Sequence, residues 1–197
     1  MVVIITVIIS FLFGSIPTGY LVTKNMYGID IRTKGSGNIG STNVKRIVGR
    51  KPSLITQVMD IAKGMIPVII GIYISNTMSL PIPKAAYLSS IAVAAILGHD
   101  YTPFLAFRGG KGVNTTLGAF VFVTPIATLS GVAVYFILRL FTGIVSIRSI
   151  SLGVTIPIVC AIMKLPLSIT IATTIAAILI IIRHKDNLIR LIKKEEK

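Results

Sequence analysis

Charge is what this sequence has least of. Only 13% of its 197 residues are Asp, Glu, Lys or Arg, about half the share that a soluble globular domain carries. That excludes an ordinary soluble domain as the basic architecture. Acidic side chains are scarcest, six against twenty Lys and Arg. They are scattered along the chain, which argues against a Mg²⁺ or Zn²⁺ site built on carboxylates. The single cysteine, Cys160, lies in an apolar run, so an intrachain disulfide and a cysteine-cluster metal site are excluded. No internal repeat and no low-complexity tract stands out. Neither a metal nor a cofactor is expected.

What is present is apolar. Hydrophobic residues make up 53% of the chain and the mean hydropathy is +0.88. A membrane crossing needs about 20 apolar residues, so the composition predicts an all-α, polytopic integral membrane protein. It has room for about seven helices and none for a sizeable soluble domain; residues 1–197 read as one domain. The apolar runs are 2–23, 54–75, a third ending at Gly98, 113–138, 149–163 and 165–182. The first lacks a basic flank and an A-x-A cleavage site and reads as a retained span. The run 113–138 is interrupted by Thr124-Pro125, which allows one tilted span or two short helices.

Lys and Arg decide between them, because they concentrate in short cytoplasmic loops. Residues 24–53 hold Lys24, Arg32, Lys34, Lys45, Arg46, Arg50 and Lys51, and the tail holds Arg183, Lys185, Arg190, Lys193, Lys194 and Lys197. Both segments fall on the same side only if 113–138 splits. Seven crossings then result, with the N-terminus outside, the C-terminus cytoplasmic, and Lys84 and Lys164 alone outside. The placement is a cell inner (plasma) membrane. Because the basic residues sit between apolar segments, the expected partners are membrane lipids and phosphorylated metabolites, and not nucleic acid. The oligomeric state is left open.

This topology puts three polar motifs on one face. The first is Gly35-Ser36-Gly37-Asn38-Ile39-Gly40-Ser41-Thr42-Asn43, with Arg46 after it. Its glycines let backbone amides turn toward an anion, and an arginine fork matches phosphate. No Gly-Lys-Ser or Gly-Lys-Thr closes it, so it is not a Walker loop. The second is Gly98-His99 followed by Gly109-Gly110-Lys111-Gly112-Val113-Asn114-Thr115, where a lysine among glycines at a helix start suits phosphate; close helix packing is the alternative for those glycines. The third is Arg183-His184-Lys185-Asp186-Asn187-Leu188-Ile189-Arg190-Leu191. His184, Asn187 and Arg190 are spaced by three and share a helix face; a basic amphipathic tail on anionic lipid is the alternative. Ser146 and Ser149 sit at a predicted cytoplasmic helix end within reach of a ligand. Asp60 and Lys63 read as a local ion pair.

With these motifs in order, the chain resembles the bacterial acyl-phosphate:glycerol-3-phosphate acyltransferase family (PlsY type). Residues 35–43 match its Gly-Ser-Gly-Asn-x-Gly-x-Thr-Asn signature. Gly98, His99 and Gly109–Thr115 match the second signature, and 183–191 the third, Arg-His-x-x-Asn-Leu-x-Arg-Leu. Gly14–Tyr20 and Asp60–Gly64 are smaller echoes. Two departures stand out: Lys194 occupies a position usually glycine, ahead of Glu195 and Glu196, and the proline after Gly-His is displaced to Pro103.

The resemblance implies transfer of a fatty acyl group from acyl phosphate to the 1-hydroxyl of sn-glycerol 3-phosphate, giving lysophosphatidate and phosphate. The His-x-x-x-x-Asp motif of the other large acyltransferase class is absent, since Phe104 and Ile189 stand five residues after the two histidines. With no Cys–His pair and no serine triad, direct attack of the substrate hydroxyl is expected. The catalytic candidates are Ser36, Arg46, Lys111, His184 and Asn187. Substrate-binding candidates are Gly35, Gly37, Asn38, Gly40, Thr42, Asn43, His99, Gly109, Gly110, Gly112, Thr115, Ser146, Ser149, Arg183 and Arg190. His184 or a substrate phosphate takes the hydroxyl proton. A small anion transporter would share the spans and the basic residues, but such sites lie near the midplane between repeats.

Overall fold

The structure, a computed structural model, describes residues 1–196. Among them are ten α-helices, two short 3-10 turns and no strand. The helices are α1 (Val2–Gly14), α2 (Thr18–Tyr27), α3 (Ser41–Val48), α4 (Arg50–Thr77), α5 (Lys84–Asp100), α6 (Val113–Phe120), α7 (Pro125–Arg139), α8 (Val145–Ile162), α9 (Leu167–Arg183) and α10 (Lys185–Ile192). Three stretches are long and apolar enough to cross a membrane: Val2–Tyr27, Arg50–Thr77 and Val145–Ile162. Leu167–Arg183 with Lys185–Ile192, bent by 55°, makes a fourth if counted as one. The run 113–138 is indeed two helices, broken before Pro125. α6, with eight residues, is about 12 Å long against a hydrocarbon core of about 30 Å.

The molecule is greasy outside and partly polar inside. Ile4, Ile5, Ile8 and Ile9 of α1, Val58, Ile69 and Ile70 of α4, and Leu167, Ile171 and Ile178 of α9 are exposed. Inside, Val68, Tyr87, Ile91, Ile96 and Phe120 pack with small residues such as Ala119, Ala172 and Ala176. Lipid offers no hydrophobic drive between helices, so close approach at small residues does the work. Two helix pairs use glycines reciprocally. A Cβ on Gly14 of α1 would lie 2.1 Å from Ala95 O of α5, and one on Gly98 of α5 would lie 2.1 Å from Phe11 O of α1. Between α4 and α6, a Cβ on Gly64 would lie 2.2 Å from Thr115 O, and one on Gly118 would lie 1.9 Å from Ile61 O.

The first span is broken between α1 and α2, where Pro17 has no N–H to offer. The carbonyls freed there are met by side chains from elsewhere. Thr102 Oγ1 donates to Ser15 O at 2.6 Å, and Lys63 Nζ donates to Ile16 O at 2.8 Å. Lys63 also pairs with Asp60 Oδ1 at 2.9 Å, as its spacing led us to expect. Asp60 further accepts from Thr18 Oγ1, and His99 Nδ1 lies 3.5 Å away. All of these side chains are buried. A charged knot therefore joins α2, α4 and α5 directly behind the polar end of the molecule.

Gly118→Ala tests the α4–α6 contact. The added methyl forces backbone apart, an overpacking cost of about 1–3 kcal/mol, expected to lower the thermal midpoint in detergent by about 3–10 °C. Gly143→Ala, where a Cβ meets nothing within 4 Å, should leave it unchanged.

Candidate active site

Three separate loops bring the three motifs to one cavity of about 340 Å³. Its wall is Ser36 and Asn38 from the α2–α3 loop, Tyr101 and Lys111 from the α5–α6 loop, and Ile182, Arg183, Lys185, Asp186, Asn187 and Arg190 from the end of α9 and from α10.

The α2–α3 loop is organised by Asn43. Its Nδ2 donates to Asn38 O at 2.9 Å and Lys34 O at 3.0 Å, with Ile31 O at 3.4 Å, and its Oδ1 accepts from Ser36 N at 3.0 Å. Gly35 and Gly37 have φ of +59° and +70°, which glycine adopts without strain. Asn38 Oδ1 accepts from Gly40 N at 2.8 Å just before α3. Of the candidates in this motif, Ser36 and Asn38 reach the cavity. Asn43, buried, has its amide engaged by the loop. Thr42 and Arg46 are exposed on α3 and are not in the wall.

The α5–α6 loop doubles back on the end of α5. Gly109 N donates to Asp100 O at 3.2 Å and Gly110 N to His99 O at 3.0 Å. Pro103, the displaced proline, opens a 3-10 turn over Pro103–Leu105. Gly110 sits on the His99 ring, where a Cβ would lie 2.0 Å from Nε2, and Gly112 turns at φ +72°. His99 is thus behind the turn, and Thr115 is buried where α6 meets α4. Of the second motif's candidates, Lys111 alone lines the cavity. Burial lowers its pKa to about 8; Glu196 opposes the shift, and Arg190 adds to it.

The third motif closes the site. Lys111 Nζ donates to Asn187 Oδ1. Asn187 Nδ2 donates in turn to Glu196 Oε1 at 2.5 Å, which also accepts from Ser146 Oγ at 3.3 Å, while Arg190 Nε donates to Glu196 Oε2 at 2.7 Å. Burial pushes the Glu196 carboxyl up, but the bonds from Asn187 and Arg190 outweigh it and leave the pKa below its ordinary value. His184 is buried and outside the wall. Its Nδ1 lies 2.8 Å from Ile180 O. Burial first, then the Lys111 ammonium, hold its pKa at about 4, so the ring is neutral at pH 7, with Nδ1–H donating and Nε2 an acceptor. Ser149 is buried on α8, outside the wall.

Sequence reasoning did not single out Tyr101, Lys185 or Asp186 and left the role of Glu196 open. Glu196 arrives because Lys194 takes φ +58°, the conformation that a glycine at this position would adopt freely. Glu195 N then bonds Arg190 O at 2.8 Å and the chain turns back. The signal was the family's glycine position; the substitution there hid it.

Residues 4–194 match the family model described as glycerol-3-phosphate acyltransferase. The glycerol-3-phosphate acyltransferase of Clostridium acetobutylicum is 64% identical over 196 residues, covering 100% of this chain and 99% of the relative. That of Geotalea daltonii is 42% identical over 189 residues, 95% and 93% of the two chains. Among solved structures, the glycerol 3-phosphate form of PlsY (YgiH), an integral membrane glycerol 3-phosphate acyltransferase, superposes with a TM-score of 0.90 at 32% identity, covering 100% of this chain and 95% of that one. Its lysophosphatidic acid form gives 0.89.

Asn43→Ala should free the loop that carries Ser36 and Asn38. Exposed Arg32 and Lys34 flank it, so limited tryptic cleavage there is expected to rise on the order of tenfold, the loss of about 1.4 kcal/mol of local stability. Unchanged cleavage would show that Asn43 does not hold this loop.

Proposed function

This chain belongs to the glycerol-3-phosphate acyltransferase family, a membrane acyltransferase of phospholipid synthesis, and from that membership we propose that its donor is an acyl phosphate and its product lysophosphatidate. The observation that carries this reading is the convergence of three donor-rich segments, with Lys111, Arg183, Lys185 and Arg190, on one cavity. Both substrates bring phosphates, and the donor brings a fatty tail that suits a lipid-embedded protein. PlsY is solved in a glycerol 3-phosphate form and a lysophosphatidic acid form, and the same pair is the acceptor and product proposed for this chain.

In the proposed reaction, the 1-hydroxyl oxygen of glycerol 3-phosphate attacks the acyl carbonyl. The new ester C–O bond forms as the acyl–phosphate C–O bond breaks, and phosphate departs with the electron pair. Lys111, Asn187 and Arg190 hold phosphate: the ammonium and guanidinium retain N–H groups beyond those used internally. Ser36 and Asn38 orient the acyl phosphate from the opposite wall. Ser146, through Glu196, belongs to the shell that keeps Asn187 and Arg190 in place. The hydroxyl proton passes to a phosphate oxygen of a substrate, with neutral His184, which stands behind the wall, as the alternative acceptor. Positioning and charge stabilisation supply the rate, and no enzyme nucleophile is needed. Arg46, exposed on α3 next to the first motif and outside the cavity wall, is the remaining candidate for the donor's phosphate. Seven crossings, with the cavity on the cytoplasmic side of the inner membrane, complete the proposal.

Purified protein with acyl phosphate and glycerol 3-phosphate should release phosphate, and acyl-CoA alone should not replace the donor; turnover with acyl-CoA alone would refute the donor assignment. Lys111→Ala removes a charge from a partly buried pair, about 3–5 kcal/mol, and should cost about two to four decades in rate. Lys164→Ala should be near neutral. If Lys111→Ala retains the wild-type rate within a few-fold, the lysine is not a phosphate ligand.

For topology, Ser36→Cys and Asn187→Cys in a Cys160→Ala background should react with an impermeant thiol reagent only from the cytoplasmic side, and Lys84→Cys only from outside. Labelling of positions 36 and 187 from opposite faces would sink the seven-span arrangement.

A further inference from the structure

Arg183 stands in the cavity wall, yet its donors point at the protein. Nε donates to Gly110 O at 2.8 Å and Nη2 to Gly109 O at 2.9 Å. Its guanidinium carbon lies 5.1 Å from the Tyr101 ring centroid. The planar fork therefore grips two successive carbonyls immediately before Lys111. From the other side, the same two residues donate their N–H groups to His99 O and Asp100 O, and Gly110 lies against the His99 ring. Both N–H groups and both carbonyls of Gly109 and Gly110 are thus held, between α5 behind them and the end of α9 in front.

We propose that Arg183 is a positioning residue that fixes Lys111 through the Gly109–Gly110 backbone, and that it acts on the reaction by way of that lysine and not as a phosphate ligand. The chemistry asks for arginine here. Two parallel acceptors on adjacent peptides match a rigid fork, and a flat guanidinium can stack on Tyr101 while donating in its own plane; an ammonium does neither. The glycines are required for the same reason. A Cβ at Gly109 would lie 2.0 Å from His99 O, and one at Gly110 2.0 Å from the His99 ring, so only a bare backbone fits between the ring and the fork. The inference rests on Lys111 being the phosphate-holding lysine of the proposed reaction.

The test reads Lys111 directly. Purified full-length protein in detergent is treated with an amine-selective reagent across a pH series, and modification of Lys111 is followed by mass spectrometry. The wild-type midpoint is expected near pH 8. The charged groups around the amine are Glu196, Arg190, Asp186 and Arg183, with His184 neutral. Arg183→Lys keeps the charge and loses the fork. Lys111 then swings toward water, its midpoint rises by about one unit toward the ordinary 10.5, and kcat falls on the order of 100-fold, as for an ångström-scale misplacement. Tyr101→Ala, which keeps the guanidinium and removes its stacking surface, should move both quantities the same way by less. It decides the matter if Arg183→Lys does not purify folded. An unmoved midpoint with a raised KM for glycerol 3-phosphate would make Arg183 a direct ligand and overturn the proposal, as would an unmoved midpoint with unchanged kinetics. Absence of turnover in wild-type protein with acyl phosphate would defeat the proposed reaction, while the Lys111 midpoint would still report on the clamp.

Discussion

Inside a bilayer, a backbone group released by a helix break has no water to turn to. The break between α1 and α2 therefore has to be answered by the protein, and the answer shapes everything at the polar end. Lys63 supplies the donor for Ile16 O. A buried ammonium needs a counter-charge, which is Asp60, one turn earlier on α4. Asp60 in turn receives Thr18 from α2 and faces His99 at the end of α5. His99 is the floor under Gly110, and Gly110 leads into Lys111. A proline in the first span is thus tied, through the buried side chains of Lys63, Asp60 and His99, to the position of the proposed phosphate-binding lysine. Removing one member of the Asp60–Lys63 pair leaves a buried charge unmet, a loss of about 3–5 kcal/mol.

The glycines divide by the same logic into two kinds. Gly14, Gly98, Gly64 and Gly118 are helical and serve contact: each brings its backbone against a carbonyl of the partner helix. Gly35, Gly37 and Gly112 have positive φ and serve shape. Gly109 and Gly110 combine close approach with a folded-back chain. In the sequence these look alike, and for the second motif's glycines helix packing stands as the alternative to an anion turn. The structure separates them, since the packing glycine of that motif is Gly98, eleven residues before the turn that carries Lys111.

The all-α membrane class was legible because it follows from composition, and the split of 113–138 because Pro125 allowed it and the placement of basic residues decided for it. The three motifs were legible as chemistry, and their convergence follows from loops sharing one end of the bundle. Individual roles were not. Asn43, Thr115 and His99 have the residue types of ligands, yet Asn43 staples its own loop, Thr115 lies in a helix contact and His99 lies under a turn. Side-chain type says what a group can bond, whereas its partner is fixed by how the chain folds: Thr102 finds Ser15 O across 87 positions of sequence, and Arg183 finds Gly110 O across 73. Glu196 was hidden for a different reason. Lys194 bears a side chain that ordinarily avoids the left-handed region, so nothing local announced that the chain would turn back.

That turn matters to the electrostatics of the whole site. The cavity gathers Lys111, Arg183, Lys185 and Arg190, and like charges at this spacing repel more strongly as water is withdrawn. Two devices keep the arrangement folded without substrate. Glu196 places one carboxylate against Arg190 and Asn187, with Lys111 joined to it through Asn187. Arg183 turns its donors onto carbonyls, where the dipoles of two peptides offset its charge. Burial above all, with Arg190 adding to it, leaves Lys111 an easily deprotonated amine at about 8, and burial, with the Lys111 ammonium second, keeps His184 neutral. A phosphate dianion entering the cavity would supply the missing negative charge, and it would also drive the Lys111 equilibrium back toward the ammonium that binds it. Basic residues that would otherwise loosen the polar end of the molecule are, on this account, held in a state that a phosphorylated substrate completes.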